Sequence, residues 1–248
     1  MVSILINGAC GKMGRMLTET AAQHGVSVAA GIDRYAAGAK AYYPLYEKLE
    51  DCTQTADVMV DFSRPDALDG LLEFCLKHKM GLVLATTGYE EADLAAIREA
   101  AKKIPIFKTA NMSLGVNVML DLVRKAAVAL PEFDIEIIEK HHNAKVDAPS
   151  GTAVLLLDAV DPNHECTVAY GREGMVGERP AKEIGMHSLR GGTVAGVHEV
   201  SFFGQDEEVT LTHRATSRQI FVNGALAAAQ KLVTREPGFY TFDQVMFA

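Results

Sequence analysis

The chain has no tryptophan and only four cysteines, Cys10, Cys52, Cys75 and Cys166, in 248 residues. They are widely spaced and form no Cys-x-x-Cys pair, which speaks against a disulfide framework or a zinc ribbon and for a reducing compartment. No uncharged apolar run approaches the ~20 residues of a membrane span. The N-terminus, "MVSILINGACGKMG", lacks the basic region of a secretory signal. The expectation is a soluble, cytoplasmic protein with no membrane partner. Positive charge is also scarce: 24 Lys and Arg stand against 32 Asp and Glu, a net charge of −8. That balance disfavours nucleic acid as a partner but leaves room for a local basic pocket around a small anion. Internal repeats and low-complexity segments are absent.

Apolar residues are plentiful, at 48% of the chain, enough for a substantial core. In the first half, "VSILIN", "VSVAAGID", "DVMVDFS", "GLVLATTG" and "IPIFKTAN" are short, nearly continuous apolar runs. Such runs suit parallel strands buried on both faces. Helical spacing over Gly14 to His24, Pro65 to Lys79 and Glu90 to Lys103 alternates with them. The pattern predicts an α/β fold, a Rossmann-type doubly wound parallel sheet. Residues 34 to 55 break it and read as a loop with a short helix. After residue 113 come an amphipathic helix (Leu114 to Leu130), the strand "FDIEIIEK" and a helix opening near Thr152. The strand-like runs "EIGMHSLRGG", "TVAGVHEVSFFG" and "EEVTLTHRATSR" follow. They predict a second, α+β domain with a mixed or antiparallel sheet. A last helix, Gln219 to Leu232, returns to the first lobe's pattern. The expected division is 1–113 plus 217–248 for dinucleotide binding and 114–216 for substrate binding and oligomerisation.

The first strand runs into "NGACGKMGR", with Gly8, Gly11 and Gly14 spaced G-x-x-G-x-x-G ahead of a helix. Glycines there let backbone N–H groups and a helix N-terminus approach a pyrophosphate. The spacing departs from the usual G-x-G-x-x-G, but Asp33 ends the second strand nineteen residues after Gly14, placed for the adenosine ribose hydroxyls. Arg34 follows it and could take a 2′-phosphate or lie in solvent. "ATTG" at 85–88 and "TANMS" at 109–113 supply small residues at strand ends. They either line a cofactor crevice or form tight turns, with Ser113 as a helix cap.

The densest chemistry lies in "EKHHNAKVDAPSGTA", residues 139–153. If the strand persists, adjacent His141 and His142 point to opposite faces, and no further ligand is spaced to complete a metal site, so no metal is expected. Lys145 sits in the loop that follows. Ser150, Gly151 and Thr152 open a helix, whose free N–H groups favour a carboxylate. Two histidines, a lysine and a helix N-terminus together read as a catalytic pocket. Arg190 and Arg218 are further cations, either for a doubly charged anion or solvated at strand ends.

These residues, with "KMGR", "VDFSRPDA", "TTG", "NMSLGVNV" and "RGGTVAGVH", resemble the 4-hydroxy-tetrahydrodipicolinate reductase (dihydrodipicolinate reductase) family of lysine and diaminopimelate biosynthesis over nearly the whole chain. The resemblance implies a two-lobed homotetramer that reduces a small cyclic dicarboxylate with NADH or NADPH. It implies His141 as the acid–base residue and Lys145 as proton donor or electrostatic partner, with His142, Gly151 and Thr152 as substrate contacts. It assigns Gly8, Gly11, Lys12, Met13, Gly14, Asp33, Arg34, Phe62, Thr87, Gly88, Ala110 and Met112 to the cofactor. Ala85 and Met112 depart from the family's common glycine and phenylalanine. Two other readings share part of the pattern. Another nicotinamide-dependent reductase of imino or amino dicarboxylates would not need the full "HHNAKVDAPSGT" element, and a non-catalytic NAD(P) sensor would bind without turnover.

Overall fold

Short aliphatic runs closed by glycine or polar turns make strands, and the longer amphipathic segments between them make helices. The computed structural model describes residues 1–247. The first stretch contains β1 (Val2–Asn7), α1 (Lys12–Thr20), β2 (Val26–Ile32), β3 (Leu45–Tyr46), β4 (Val58–Asp61), α2 (Leu68–His78), β5 (Gly81–Leu84), α3 (Glu91–Ala101) and β6 (Pro105–Lys108). The middle contains α4 (Leu114–Ala129), β7 (Asp134–His141), α5 (Gly151–Val160), β8 (Thr167–Ala169), β9 (Glu183–Arg190), β10 (Gly196–Gly204) and β11 (Glu207–Ala215). The chain closes with α6 (Gln219–Leu232), β12 (Gly238–Tyr240) and α7 (Phe242–Met246). No helix among the described residues is long and apolar enough to cross a membrane.

The chain divides into two compact units, Met1–Ser113 with residues 219 onward, and Leu114–Arg218. The second boundary falls after Arg218, where α6 begins, rather than after residue 216. Unit 1 holds a seven-stranded parallel sheet in the order β12-β6-β5-β4-β1-β2-β3. Because β1 alternates direction, Ile4 and Ile6 enter the core with Leu17 of α1 and Leu226 of α6. Leu5 enters the opposite core with Leu71 of α2 and Ile97 of α3. This two-sided burial is what the unbroken apolar runs imply, and it makes the sheet doubly wound. Residues 34–55, expected as a loop with a short helix, hold a 3₁₀ turn at Leu49–Asp51 and also the two-residue β3. Strands β3, β8 and β12, of two or three residues each, are too short to leave a periodic signal.

Unit 2 holds a five-stranded sheet in the order β11-β10-β7-β9-β8. Strand β7 pairs antiparallel with β10 and parallel with β9, so the sheet is mixed. Helices α4 and α5 supply Val123 and Leu156 to a core shared with Ile137 of β7 and Val200 and Phe202 of β10. Phe202 is fully buried there. Phe202→Ala is expected to lower the unfolding free energy of unit 2 by about 3–5 kcal/mol, through lost transfer energy and a residual cavity, as measured by urea titration.

Candidate active site

In unit 1 the strand order reverses at β1, which has β2 on one side and β4 on the other. Open α/β sheets place ligands beyond the carboxyl ends of strands at such a point. The glycine loop occupies it. Gly8 has φ +81°, and a Cβ there would lie 2.7 Å from the Phe62 carbonyl oxygen, so only glycine lets the loop pass the end of β4. A Cβ on Gly14 would collide with the Gly8 carbonyl oxygen, so this glycine lets α1 close against the loop. The α1 N-cap is Gly11, with no side-chain cap and no acid in the first turn, leaving N–H groups and the positive helix end for an anion.

Asp33 is engaged by the backbone. Its Oδ2 accepts from Cys10 N–H at 2.9 Å and its Oδ1 from Tyr35 N–H at 2.9 Å. Beneath the loop, the buried Asp61 Oδ1 accepts from Asn7 Nδ2 at 2.8 Å and Ser63 Oγ at 2.6 Å, tying the ends of β1 and β4. A cleft of about 730 Å³ runs along this edge, lined by Gly8, Gly11, Asp33, Arg34 and Phe62. Two cations not singled out from the sequence, Arg15 and Arg64, also line it. Their only signals are a place in the first turn after the glycines and one just after the β4 end. The Arg34 guanidinium lies over the Tyr35 ring, 5.8 Å from its centroid. Lys12, at the start of α1, and Thr87, Gly88 and Ala110, in loops, are exposed outside this cleft, and Met13 is half-buried. Met112 is in the core with Val222 and Leu226, so its side chain faces away from solvent.

In unit 2 the quoted stretch folds around one carboxylate. Strand β7 ends at His141, and His142 lies just beyond it. Because strand side chains alternate, Glu139 and His141 share the face of Ile137 that the helices cover. Glu139 is fully buried. Its Oε2 lies 2.6 Å from His141 Nδ1, and Arg190 donates to both oxygens at 2.8 and 2.7 Å. Ser150 N–H adds a further donor at 3.2 Å, and the Ser188 side chain another. Arg190, partly exposed, is bound to Glu139 and, at 2.7 Å, to the Asp147 carbonyl. Register explains its reach, since β9 places Arg190 opposite His141.

Ser150 caps α5 by accepting from Ala153 N–H at 3.2 Å, and its Oγ lies 2.9 Å from His198 Nε2 on β10. The His141 and His198 rings meet edge to face at 5.2 Å. Gly151, the first residue of α5, is exposed, and a Cβ there would meet nothing within 4 Å. Lys145 donates to both oxygens of Asp147 at 2.8 Å, so its charge is held by an exposed acid beside the helix start. Arg218 Nη2 comes within 3.5 Å of His142 Nε2. Among the described residues, no group of three or more His, Cys, Asp or Glu is arranged to hold a metal.

Burial by itself pushes the Glu139 carboxyl up, but hydrogen bonds from Arg190 and His141 outweigh it and bring it down to about 2. Burial pushes His198 down to about 4, with the neighbouring His141 adding to the effect. At neutral pH the cluster thus holds a fixed carboxylate and a neutral His198, while Asp147 is lowered by its bond from Lys145. This can orient an imidazole, hold an anion at a helix start and transfer a proton.

The "Dihydrodipicolinate reductase, N-terminus" family model matches residues 2–112, and the "Dihydrodipicolinate reductase, C-terminus" model matches residues 115–246. The chain belongs to the dihydrodipicolinate reductase family. It is 46% identical to a 4-hydroxy-tetrahydrodipicolinate reductase of Clostridium botulinum, across 99% of this chain and 98% of that one. It is 43% identical to the enzyme of that name in Caldanaerobacter subterraneus subsp. tengcongensis, with the same coverage. A dipicolinate-bound dihydrodipicolinate reductase from Paenisporosarcina sp. TG-14 superposes with a TM-score of 0.84 at 26% identity, covering 99% of each chain. An amine dehydrogenase from Mycobacterium smegmatis, at TM-score 0.65 and 14% identity, shares the fold alone.

The acid stability of this family member follows from His198. Its folded pKa lies below the usual 6.5, so the unfolded chain binds the extra proton first and stability falls as pH drops from about 6.5 through about 4. Between pH 7 and pH 4 the loss from this residue is on the order of 3 kcal/mol. His198→Gln is expected to flatten the pH dependence of urea unfolding in that window. A further acid loss below about pH 4.5 remains, as Glu139, whose folded pKa is depressed, takes up its proton.

Proposed function

We propose that this chain is an NAD(P)H-dependent oxidoreductase that reduces 4-hydroxy-tetrahydrodipicolinate to tetrahydrodipicolinate in lysine and diaminopimelate biosynthesis. The observation that carries the proposal is the cluster at the end of β7. A histidine oriented by a buried carboxylate lies in one short stretch of chain with a lysine and the start of helix α5, in a chain of this family.

Unit 1 fits a dinucleotide. The glycine positions that a Cβ would fill, the uncapped start of α1 and the Asp33 carboxylate form its cradle. Gly8, Gly11, Lys12, Met13 and Gly14 approach the pyrophosphate. Asp33 keeps lone pairs for the ribose hydroxyls, and Arg34 meets the 2′-phosphate when one is present. Phe62, Thr87, Gly88, Ala110 and Met112 line the remainder, Met112 through its backbone because its side chain lies in the core. When bound, NADH or NADPH supplies the hydride.

Unit 2 binds and protonates the substrate. Gly151 and Thr152 at the start of α5 present N–H groups to one carboxylate, and Lys145 leaves Asp147 for it. His142 borders the same pocket. The dipicolinate of the Paenisporosarcina relative supports a dicarboxylate of this shape. His141, held through Nδ1, supplies the proton from Nε2, with Lys145 as partner or alternative donor. A homotetramer in the cytoplasm completes the proposal. Four free cysteines suit a reducing compartment, and the exposed Leu189 and Phe203 of the second sheet suit burial between copies.

Both cofactors are expected to support turnover within about a hundredfold in kcat/KM. Arg34→Ala should impair NADPH selectively; equal loss with both would remove the 2′-phosphate assignment.

A coupled assay tests the reaction itself: an upstream synthase condenses pyruvate with aspartate semialdehyde while nicotinamide oxidation is followed by absorbance. His141→Gln is expected to lower kcat by about a hundredfold or more with a modest change in KM. Lys145→Ala should lower kcat similarly, raise KM and weaken pyridine-2,6-dicarboxylate binding, while NADH binding alone stays unchanged. Near-wild-type kcat in both variants would overturn the assignment, and cofactor binding without any turnover would favour a sensor.

A further inference from the structure

We infer that Glu139 is a positioning residue for His141, fixing the proton on Nδ1 so that Nε2 is the atom that exchanges a proton with substrate. The inference rests on the reading of His141 as the acid–base residue.

The geometry separates this role from that of a simple brace. Arg190 alone satisfies both carboxylate oxygens, at 2.8 and 2.7 Å, so the sheet would be tied without His141. Yet His141 Nδ1 lies closest of all, 2.6 Å from Oε2. An ionised carboxylate only accepts hydrogen bonds. A neutral His141 must therefore carry its proton on Nδ1, which leaves the lone pair on Nε2. The two donors from Arg190 keep Glu139 ionised, so the Nδ1 proton stays on the ring when Nε2 releases its own. The other nitrogen is left open by a second feature. Gly196 faces the ring, and a Cβ there would stand 3.2 Å from Nε2, tighter than ordinary van der Waals contact.

The groups facing this pair come from every strand and loop around it. Arg190 comes from β9, His198 from β10 with His213 of β11 across from it, and Lys145 from the loop with its partner Asp147. His198 is kept neutral by burial, down to about 4, so it does not compete for the carboxylate as a cation at neutral pH. Of these groups only Glu139 touches Nδ1.

The test uses the full-length protein with ¹⁵N-labelled histidine. Imidazole nitrogen shifts at pH 8, without substrate, are expected to report the Nδ1–H tautomer for His141, with His141→Gln used for assignment. In Glu139→Gln the amide oxygen turns to Arg190 and its NH₂ to the ring, so the Nε2–H tautomer should become the major form. In the coupled assay, Glu139→Gln should lower kcat about 10- to 100-fold with KM within about threefold. The alkaline limb of its kcat/KM profile, where His141 loses the proton it donates, should move to lower pH, because the imidazolium has lost its carboxylate. Glu139→Asp should restore part of the rate. An unshifted profile with the tautomer unchanged in Glu139→Gln would reduce Glu139 to a brace and overturn the inference. Should Glu139→Gln fail to fold, an Nε2–H tautomer for His141 in the wild type would overturn it alone. A wild type with the expected tautomer but no reductase activity would instead overturn the proposed function.

Discussion

Burying an ionised carboxylate in a sheet is tolerable only when donors surround it, because an unmatched charge there costs several kcal/mol. Glu139 imposes that condition on unit 2. Its donors come from its own strand, from β9, and from the residue that opens α5. The end of β7, the end of β9 and the helix start are therefore located together. Arg190 extends the same constraint to the Asp147 carbonyl, which fixes the loop carrying Lys145. The placement of the histidine, the lysine and the helix N-terminus is in this sense one structural decision.

Unit 1 solves a similar problem with aspartates. Asp61 is buried and met by Asn7 and Ser63, holding two strand ends at the distance the glycine loop requires. Asp33 holds the loop from the other side through Cys10 N–H. Its carboxylate thus shapes the loop by accepting from the backbone on both oxygens.

The doubly wound sheet was legible because its strands are buried on both faces, and "VSILIN" can hardly be anything but a central strand beside a glycine loop. The helix start at Ser150 was legible from its capping chemistry. Glu139 was not. In "DIEIIEKH" the adjacent Ile137 and Ile138 blur the alternation, so Glu139 reads as one more polar residue of an outer face. Only the regular β7 backbone puts it inward. Arg190 was ambiguous for a related reason: its partner is set by parallel register with β7, a pairing between segments some fifty residues apart. The cofactor motif named Met112 by its place in the chain, whereas packing against Val222 and Leu226 decides where its side chain goes.

The second unit is inserted between β6 and α6, and the insertion separates unit 1 into two lengths of chain. Helix α6 supplies Val222, Leu226 and Leu232 to one face of the parallel sheet. During synthesis, residues 1–113 leave the ribosome without the helix that covers that face. Unit 2, continuous from Leu114 to Arg218, has its whole core available first. The nascent first unit therefore carries an open apolar surface until α6 has been made, the kind of exposure that draws chaperones. Losing the last thirty residues would deprive the glycine-loop sheet of its cover while leaving the sequence of the histidine cluster whole.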